Sequence, residues 1–316
     1  MNNDAYSIGL DDKDPTHVLL GKAFRSDSVP LAGATIHYVR GGQGPALVFV
    51  HGFSEDWYEF APIMSRLAQK YTVVALDLRG IGHSIATKPE FDAETLARDV
   101  HELISVLALE NPYIVGHDMG AMIAYAYARL FPLETLGIAV LDGPLPGTRS
   151  TDIMVKLPMF WHFTFHRIPK VPERLIKGRE YTYFKRAFYQ RFAKTEDAPS
   201  ELVMRHYASA YTSRAQLTAA LGLYRAYRKN RVFLKSHRET LDIPILILEG
   251  HYFSEKPGPT AKELRNTFHC KDVTAQVVSG CGHFMTDEQP DVIASLLRKH
   301  ISKCLTNTAS KKLAKT

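Results

Sequence analysis

The sequence predicts an α/β protein: a mostly parallel central sheet, flanked by helices and carrying one helical cap insertion. Two observations support this fold class. Short apolar runs, such as those at 45–50, 72–76 and 136–141, alternate with longer amphipathic stretches, which is typical of a parallel sheet covered on both faces. Segment 144–239 then breaks the alternation, because it has almost no buried-strand signal and is rich in aromatic and basic residues. We therefore expect it to form a helical cap over the carboxyl ends of the strands, where α/β sheets bind ligands.

Each predicted element follows from its local pattern. The strands are short runs of apolar, β-branched or aromatic residues, and the helices are longer stretches with an amphipathic pattern or many helix formers. Strands are expected at 18–24, 35–39, 45–50, 72–76, 112–115, 136–141, 243–248 and 273–278, and helices at 56–69, 93–107 and 121–129.

The length and composition fit one large core with an insertion. The chain has 316 residues, of which 45% are hydrophobic and 23% are charged, as is ordinary for a globular enzyme. We expect residues 17–143 and 240–303 to form the core and residues 144–239 to form the cap. The polar segment 1–16 and the basic segment 304–316 are expected to be flexible ends.

The composition also argues against several classes of protein. No segment approaches the roughly 18 consecutive apolar residues of a membrane span, and the N-terminus lacks the pattern of a signal peptide. Three cysteines form no disulfide framework, which favours a reducing, cytoplasmic location. The net charge of +6 lies partly in the basic C-terminal segment. No stripe of aromatic and basic residues indicates a nucleic-acid site.

A glycine-flanked turn carries the strongest functional signal. Residues 116–120 read Gly-His-Asp-Met-Gly, between a predicted strand and a predicted helix. A strand, a sharp turn and a helix form a nucleophile elbow, which exposes one side chain above the sheet. That side chain is Asp118, whose carboxylate is ionised at neutral pH and can attack a saturated carbon to form an alkyl ester. The alternative is that Asp118 only caps the following helix.

The strand, elbow and helix resemble those of the α/β-hydrolase fold, and this resemblance implies that an acid and then a histidine follow the nucleophile along the chain. His283 lies on a glycine-rich loop after the last strand and is the predicted base. The acid has two candidates: Asp142, at the carboxyl end of a strand, and Glu255, after the next strand. Asp142 is the preferred one, although it could instead only cap the turn into Pro144. The acid would fix the tautomer of His283 and stabilise its imidazolium.

The remaining polar roles follow from this arrangement. His283 would deprotonate a water that attacks the ester on Asp118. The resulting oxyanion needs donors, for which the backbone N–H groups of Phe53 and Met119 are candidates. His117 is expected to support the turn, as the neighbour of the nucleophile.

The alternating elements, the His-Gly after the third strand, the elbow and the late Gly-His together resemble the α/β-hydrolase fold over residues 17–303. In that fold, aspartate nucleophiles occur chiefly in haloalkane dehalogenases, fluoroacetate dehalogenases and epoxide hydrolases. Haloalkane dehalogenases usually have tryptophan at the position of Met119. Fluoroacetate dehalogenases have arginines at the positions of Met119 and Met122, which bind the substrate carboxylate, and a tryptophan at the position of Phe163. These differences favour an epoxide hydrolase.

Several stretches are similar to those of the Cif-type epoxide hydrolases. They are His51-Gly52-Phe53 with Trp57-Tyr58-Glu59, Trp161-His162-Phe163, Tyr224-Arg225-Ala226 and Gly280-Cys281-Gly282-His283. The resemblance implies that His162 and Tyr224 donate to the epoxide oxygen as the ring opens, and that the protein is a homodimer. Enzymes of this group carry a glutamate at the position of Asp142 and are secreted. For His162 and Tyr224, a purely structural role in the cap is the alternative.

The predicted function is hydrolysis of a small apolar epoxide to a vicinal diol, with no cofactor and no metal. The side chains predicted to line the substrate pocket are Trp57, Met122, Trp161 and Phe163. Two alternatives stay open: a dehalogenase with the same aspartate nucleophile, and a non-catalytic binding protein on the same scaffold.

Overall fold

The computed structural model describes residues 20, 23–195, 197–251 and 257–313. In this part of the chain nine strands form one sheet. The strands are β1 Phe24–Pro30, β2 Ala34–Gly41, β3 Ala46–Val50, β4 Thr72–Leu76, β5 Ile85–Ala86, β6 Tyr113–His117, β7 Gly137–Leu141, β8 Ile245–Gly250 and β9 Val273–Val278.

The strand order is β1-β2-β4-β3-β6-β7-β8-β9, with β5 paired to β2. Strands β1, β2 and β5 pair in antiparallel fashion, as does β2 with β4. All other pairs, from β4–β3 to β8–β9, are parallel. The central strands β3, β4, β6 and β7 are buried along their whole length, as expected for strands covered on both faces. The predicted fold class is therefore confirmed.

The helices of the core flank this sheet. They are a 3-10 turn Trp57–Phe60 and helices α1 Ala61–Leu67, α2 Ala93–Val106, α3 Met119–Leu130, α12 Thr260–Asn266, α13 Met285–Glu288 and α14 Pro290–Leu313. Asp92 is the N-cap of helix α2, because its side chain accepts the backbone N–H of Thr95. This hydrogen bond satisfies one free donor of the first turn.

A second set of helices lies between β7 and β8 in the chain. They are α4 Arg149–Met154, α5 Trp161–Arg167, α6 Val171–Ile176, α7 Glu180–Phe184, α8 Gln190–Phe192, α9 Glu201–Ser209, α10 Arg214–Arg225 and α11 Tyr227–Ser236, with a 3-10 turn Pro158–Phe160 and a π-helical turn Lys185–Tyr189. Helix α10 begins with a capping box. The side chain of Ser213 accepts the backbone N–H of Gln216, and the side chain of Gln216 accepts the backbone N–H of Ser213. The aromatic side chains of these helices pack largely on one another.

Both ends of the chain were predicted to be flexible. Segment 1–16 lies outside the described residues. At the other end, segment 304–316 is not a loose tail throughout, because α14 continues to Leu313 and Cys304 is buried. The prediction of a flexible end was based on the lysines of this segment. It overlooked Ile301 and Cys304, which lie three residues apart and pack on the core from one face of the helix. None of the helices that the structure describes is long and apolar enough to cross a membrane.

Candidate active site

The turn after β6 places Asp118 in a strained conformation above the sheet. Asp118 has φ 44° and ψ −116°, a region that residues with a side chain rarely adopt. Gly116 and Gly120 make the turn possible: a Cβ on Gly116 would lie 2.1 Å from the carbonyl oxygen of Gly120, and one on Gly120 would lie 2.0 Å from that of Val50. The geometry is that of a nucleophile elbow.

The carboxylate of Asp118 does not cap the helix that follows it. Within the described residues, its side chain makes no capping hydrogen bond to α3. Instead, Oδ2 accepts the backbone N–H of Phe53 at 2.9 Å. The carboxylate lies beside Gly52, where a Cβ would come within 2.6 Å of Cβ of Asp118. The capping interpretation of Asp118 therefore lacks support, whereas the expected donor Phe53 is in place.

Met119 is the second expected donor. It is buried at the start of α3, but no hydrogen bond among the described residues joins its N–H to the carboxylate of Asp118. Its part in binding an oxyanion stays a prediction.

His283 and Asp142 meet at the carboxyl ends of the strands. Nδ1 of His283 lies 2.7 Å from Oδ2 of Asp142, and Oδ1 of Asp142 accepts the N–H of Gly250 at 3.0 Å. Asp142 follows β7 directly and also has a positive φ, 38°. With Nδ1 engaged as a donor, Nε2 of His283 is the nitrogen left to accept a proton. Glu255, the alternative acid, lies outside the described residues.

The pair stabilises opposite charges on its two members. Burial and the charge of His117 lower the pKa of His283. The hydrogen bond that it donates to Asp142 and the charges of Asp142 and Asp118 outweigh them, so the net pKa is raised. Burial raises the pKa of Asp142, and the hydrogen bond and charge of His283 outweigh this, so the net pKa is lowered. The arrangement favours an imidazolium next to a carboxylate, as a base that gains a proton during catalysis requires.

The loop that carries His283 is held by a residue that the sequence analysis did not identify. The carboxylate of Glu288 accepts the backbone N–H of Gly282 at 2.9 Å, of Phe284 at 3.1 Å and of Lys194 at 2.7 Å. Because Lys194 belongs to the insertion, Glu288 ties the cap segment to the histidine loop. An acidic residue five positions after His283 gave no sequence signal, since its role depends on contacts distant in the chain.

A cavity of about 300 Å³ lies between the core and the cap helices. Six of the residues predicted to act in catalysis border it: Phe53, Asp118, Asp142, His162, Tyr224 and His283. Met119 is not among the residues that line it. Its other walls are mainly apolar and include Met154, Phe160, Phe163, Phe188 and Phe192. The cavity therefore favours a small apolar ligand held next to Asp118.

His162 and Tyr224 enter this cavity from the cap. Their ring centroids lie 5.9 Å apart, and Phe53 contacts Tyr224 with centroids 5.0 Å apart. Burial lowers the pKa of His162 to about 3, with smaller contributions from the charges of His283 and Arg191. Burial raises the pKa of Tyr224, and the charge of Asp118 adds to this. At neutral pH both side chains are uncharged hydrogen-bond donors facing the same space as Asp118.

Of the four side chains predicted to line the pocket, only Phe163 does so. Trp57 is buried in the core beside His37. The sulfur of Met122 accepts a hydrogen bond from Nδ2 of Asn230 at 3.2 Å. Trp161 is 39% exposed and lines an outer groove of the cap instead. Helical geometry explains the last error, since adjacent residues on a helix point about 100° apart.

A buried acidic cluster lies next to His283. Nδ1 of His117 lies 3.0 Å from Oε2 of Glu55 and 3.0 Å from Oε2 of Glu59, and its Nε2 donates to the carbonyl oxygen of His283 at 2.8 Å. This places His117 where the sequence predicted it, in support of the turn. The two glutamates were missed, although they lie four residues apart in a segment rich in aromatic residues.

The cluster is also the one group of described residues with a metal-type ligand set, since its ligand atoms all lie within 4.8 Å of one another. Burial opposes the charge of His117, but the two carboxylates raise its pKa well above its usual value. Burial raises the pKa of Glu55, as does the charge of Glu59. Hydrogen bonds between Nδ1 of His117 and the side chains of both glutamates hold the cluster together.

Comparison with known proteins adds the family context. Residues 47–296 match the Alpha/beta hydrolase family. The chain is 29% identical over 282 residues to the soluble epoxide hydrolase of Corynebacterium sp. (strain C12), across 83% of this chain and 91% of that protein. It is 28% identical over 305 residues to the fluoroacetate dehalogenase of Burkholderia sp, across 89% and 95% of the two chains. Among solved structures, epoxide hydrolase CorEH has a TM-score of 0.80 at 26% identity, covering 89% of this chain and 99% of that chain.

Proposed function

The chain belongs to the alpha/beta hydrolase family, and from that premise we propose that it hydrolyses epoxides to vicinal diols through a covalent ester on Asp118. The observation that carries the proposal is the carboxylate of Asp118 at the elbow, with one oxygen held by the N–H of Phe53. The relatives named as epoxide hydrolases, which align over most of both chains, support this reaction class.

Ester formation comes first. Oδ1 of Asp118 attacks one epoxide carbon, the carbon–oxygen bond breaks, and its electron pair moves to the epoxide oxygen. His162 and Tyr224 donate hydrogen bonds to that oxygen, which stays bonded to the other epoxide carbon and becomes a hydroxyl group by taking the phenolic proton of Tyr224. Both donors border the cavity. Their shifted pKa values keep His162 a neutral imidazole with one N–H and Tyr224 a neutral phenol at neutral pH, which suits donation to a developing alkoxide.

Ester hydrolysis follows. Nε2 of His283 takes a proton from a water, and the hydroxide attacks the carbonyl carbon of the ester. Negative charge develops on Oδ2 of Asp118, next to the N–H of Phe53 at 2.9 Å, and Met119 is the proposed second donor. Collapse of this intermediate releases the diol and leaves an oxygen of the water in Asp118. The proton that His283 took from the water returns to Tyr224, which restores the starting state. The two steps together consume one epoxide and one water and require no cofactor.

Dehalogenation is the second candidate, because the fluoroacetate dehalogenase of Burkholderia sp aligns over most of both chains. The same aspartate chemistry would displace a halide. However, none of the described residues that line the cavity is a lysine, an arginine or a tryptophan. Among the described residues, a haloacid carboxylate would find no cationic partner there, at a large desolvation cost, and a departing halide would find no indole donor. The cavity therefore favours a neutral epoxide over a haloacid.

The buried thiols bear on the compartment. Cys270, Cys281 and Cys304 are all free and buried, which suits a reducing compartment such as the cytoplasm.

The test is a single turnover of a styrene-oxide-type epoxide in ¹⁸O-labelled water with the full chain. We expect an unlabelled diol and one ¹⁸O atom in Asp118, because the first oxygen transferred comes from the carboxylate. Labelled diol in the first turnover would overturn the ester mechanism. Halide release from a haloacid without diol formation from any epoxide would establish the dehalogenase instead.

Intact-mass analysis separates an enzyme from a non-catalytic binding protein. The variant His283→Gln should accumulate an adduct equal to the mass of the epoxide, since it forms the ester but cannot activate water. The double variant with Asp118→Asn should show no adduct. A protein that only binds epoxides would show no adduct in either variant.

A further inference from the structure

The outer face of the cap differs from the rest of the surface in both charge and exposed apolar area. Segment 144–239 contains 19 lysines and arginines against 7 aspartates and glutamates, a net charge of +12, whereas the remainder of the chain has a net charge of −6. Of the eleven large apolar side chains that are exposed in the described residues, seven belong to this segment: Ile153, Leu157, Trp161, Ile168, Val171, Leu175 and Val232. The two features coincide in one part of the molecule.

They meet at a groove of about 980 Å³ on the cap, here called the cap groove. Its apolar lining includes Leu157, Trp161 and Ile168, and its basic lining consists of Lys156, Arg167, Arg228 and Arg231. Asp152 is the one acidic residue among the lining residues, and it is paired with Arg231 at 2.8 Å. No ion pair of the described residues involves Lys156, Arg167 or Arg228, which are exposed. Their charges are available to an external anion.

Helix α5 separates the cap groove from the catalytic cavity. His162 and Phe163 face the cavity, while Trp161, Thr164 and Phe165 face the groove. The apolar outer side chains of this helix are therefore not part of the catalytic site. A tryptophan at the boundary between apolar and basic groups is typical of a residue at a lipid–water interface.

We propose that the cap groove and the exposed apolar residues around it form a docking surface for a lipid bilayer that carries anionic headgroups. The argument is charge complementarity together with apolar exposure. The asymmetry between cap and core orients the cap toward a negative surface. Lys156, Arg167 and Arg228 then bind headgroup phosphates, and Leu157, Trp161 and Ile168 enter the boundary with the acyl chains. The inference is independent of the reaction that Asp118 performs.

Vesicle binding tests the proposal with the full chain. We expect co-sedimentation with vesicles of phosphatidylcholine and phosphatidylglycerol and little binding to vesicles of phosphatidylcholine alone. Binding should be lost in about 1 M salt, which shortens the screening length to about 3 Å. Each basic residue near an anionic surface contributes roughly five-fold to the binding constant. Arg228→Glu should therefore weaken binding by more than about ten-fold, since it reverses the charge.

Matched substitutions on the core distinguish binding through the cap groove from binding that depends only on the net charge of the protein. Arg298 is an exposed arginine of α14 and Leu133 is an exposed leucine next to α3. Arg298→Glu and Leu133→Asp should leave vesicle binding unchanged, whereas Arg228→Glu and Leu157→Asp reduce it. Equal loss in the core and cap variants would overturn the proposal, as would the absence of binding to anionic vesicles.

Fluorescence locates the contact. The chain has two tryptophans, and Trp57 is buried in the core while Trp161 is exposed on the groove. Brominated lipids should quench part of the emission of the wild type and none of that of Trp161→Phe.

Sedimentation velocity distinguishes a bilayer from other possible ligands of this surface. A dimer that Leu157→Asp converts to a monomer, or saturable binding of monomeric dodecyl sulfate without vesicle binding, would replace the bilayer by a second copy or by a single amphiphile.

Discussion

The backbone N–H of Phe53 donates to Oδ2 of Asp118 across 2.9 Å. A hydrogen bond at this oxygen divides the roles of the carboxylate. In the proposed reaction, negative charge would develop on Oδ2 during ester hydrolysis, and Oδ1 would attack the substrate. The donor is part of the resting structure, so it requires no rearrangement during the reaction.

Gly52→Ala should disturb this arrangement directly. The added Cβ would lie 2.6 Å from Cβ of Asp118 and 3.0 Å from Oδ2, so the carboxylate must move away from the N–H of Phe53. We expect kcat to fall by about 100-fold or more, the usual effect of losing one oxyanion donor. Stopped-flow measurement of ester formation and hydrolysis, with the melting temperature as a control for folding, checks this. Unchanged hydrolysis in a folded variant would contradict the role of Phe53.

The pH dependence of ester hydrolysis should report His283. The residue acts as a base only when neutral, so the rate falls as the pH drops through its pKa. That pKa is raised above its ordinary value despite burial, because the hydrogen bond and charge of Asp142 and the charge of Asp118 favour the imidazolium. Asp142→Asn removes the largest of the raising contributions. We expect the acid limb to move to lower pH and the plateau rate to fall by roughly 10³-fold or more.

Single-turnover hydrolysis from about pH 5 to pH 9 measures both effects on either side of the ordinary pKa of histidine. A matched comparison is Asp152→Asn, which removes an acidic residue of the outer cap groove. That variant should leave the acid limb unchanged. An acid limb of Asp142→Asn that coincides with the wild type would show that Asp142 does not act on His283.

Ester formation should depend on both His162 and Tyr224, but with no titration of His162 at ordinary pH. Tyr224→Phe and His162→Phe each remove one donor from the cavity, and we expect each to slow ester formation by about 100-fold. Tyr227→Phe is the matched control, because Tyr227 is a cap tyrosine whose hydroxyl donates to Asp152 at 2.8 Å and which does not border the cavity.

Because burial lowers the pKa of His162 to about 3, this residue stays neutral above about pH 4. Rapid-quench measurement of the adduct from pH 5 upward should therefore give parallel profiles for the wild type and His162→Phe. A limb that disappears in the variant would mean that His162 titrates during catalysis. Equal slowing in Tyr227→Phe would mean that these substitutions act through cap packing alone.

The predicted sheet and three polar residues came from patterns that are local in the sequence. The Gly-His-Asp-Met-Gly turn could be assigned because its two glycines mark a sharp turn between a strand and a helix. Close contacts with Gly120 and Val50 explain why no larger residue fits at 116 and 120. Asp142 and His283 could be paired because parallel strands bring their carboxyl ends to one edge of the sheet. The hydrogen bond of 2.7 Å between them agrees with that reasoning.

The side chains that were wrongly placed depend on rotation about a helix axis or on contacts distant in sequence. Trp161 and His162 are neighbours in the chain, but Trp161 lines the outer groove and His162 lines the inner cavity. No sequence pattern distinguishes these two sides of α5, because both carry aromatic residues. Met122 packs against Asn230 of the cap, a contact across 108 positions. Glu55 was overlooked for the same reason, because its partner His117 is 62 residues away.

Glu55→Gln should flatten the dependence of stability on pH. Burial and the charge of Glu59 raise the pKa of Glu55 above its ordinary value, so the folded protein retains a proton that the unfolded chain has lost. The same sign applies to His117, whose pKa the two carboxylates raise. When the pKa of a group is higher in the folded state than in the unfolded state, the free energy of unfolding falls as the pH rises. The fall begins just above pH 4.5 for Glu55 and just above pH 6.5 for His117. The substitution removes the first contribution and weakens the second.

Urea unfolding between about pH 5 and pH 8, above the ordinary pKa of a glutamate, measures the slope. We expect a smaller loss of unfolding free energy over this range in Glu55→Gln than in the wild type, while Glu90→Gln, a change at an exposed glutamate, keeps the wild-type slope. The variant should therefore gain stability relative to the wild type as the pH rises, even if it is less stable at pH 5 through altered hydrogen bonding to His117. Parallel curves for the wild type and Glu55→Gln would show that the cluster does not hold an extra proton in the folded state.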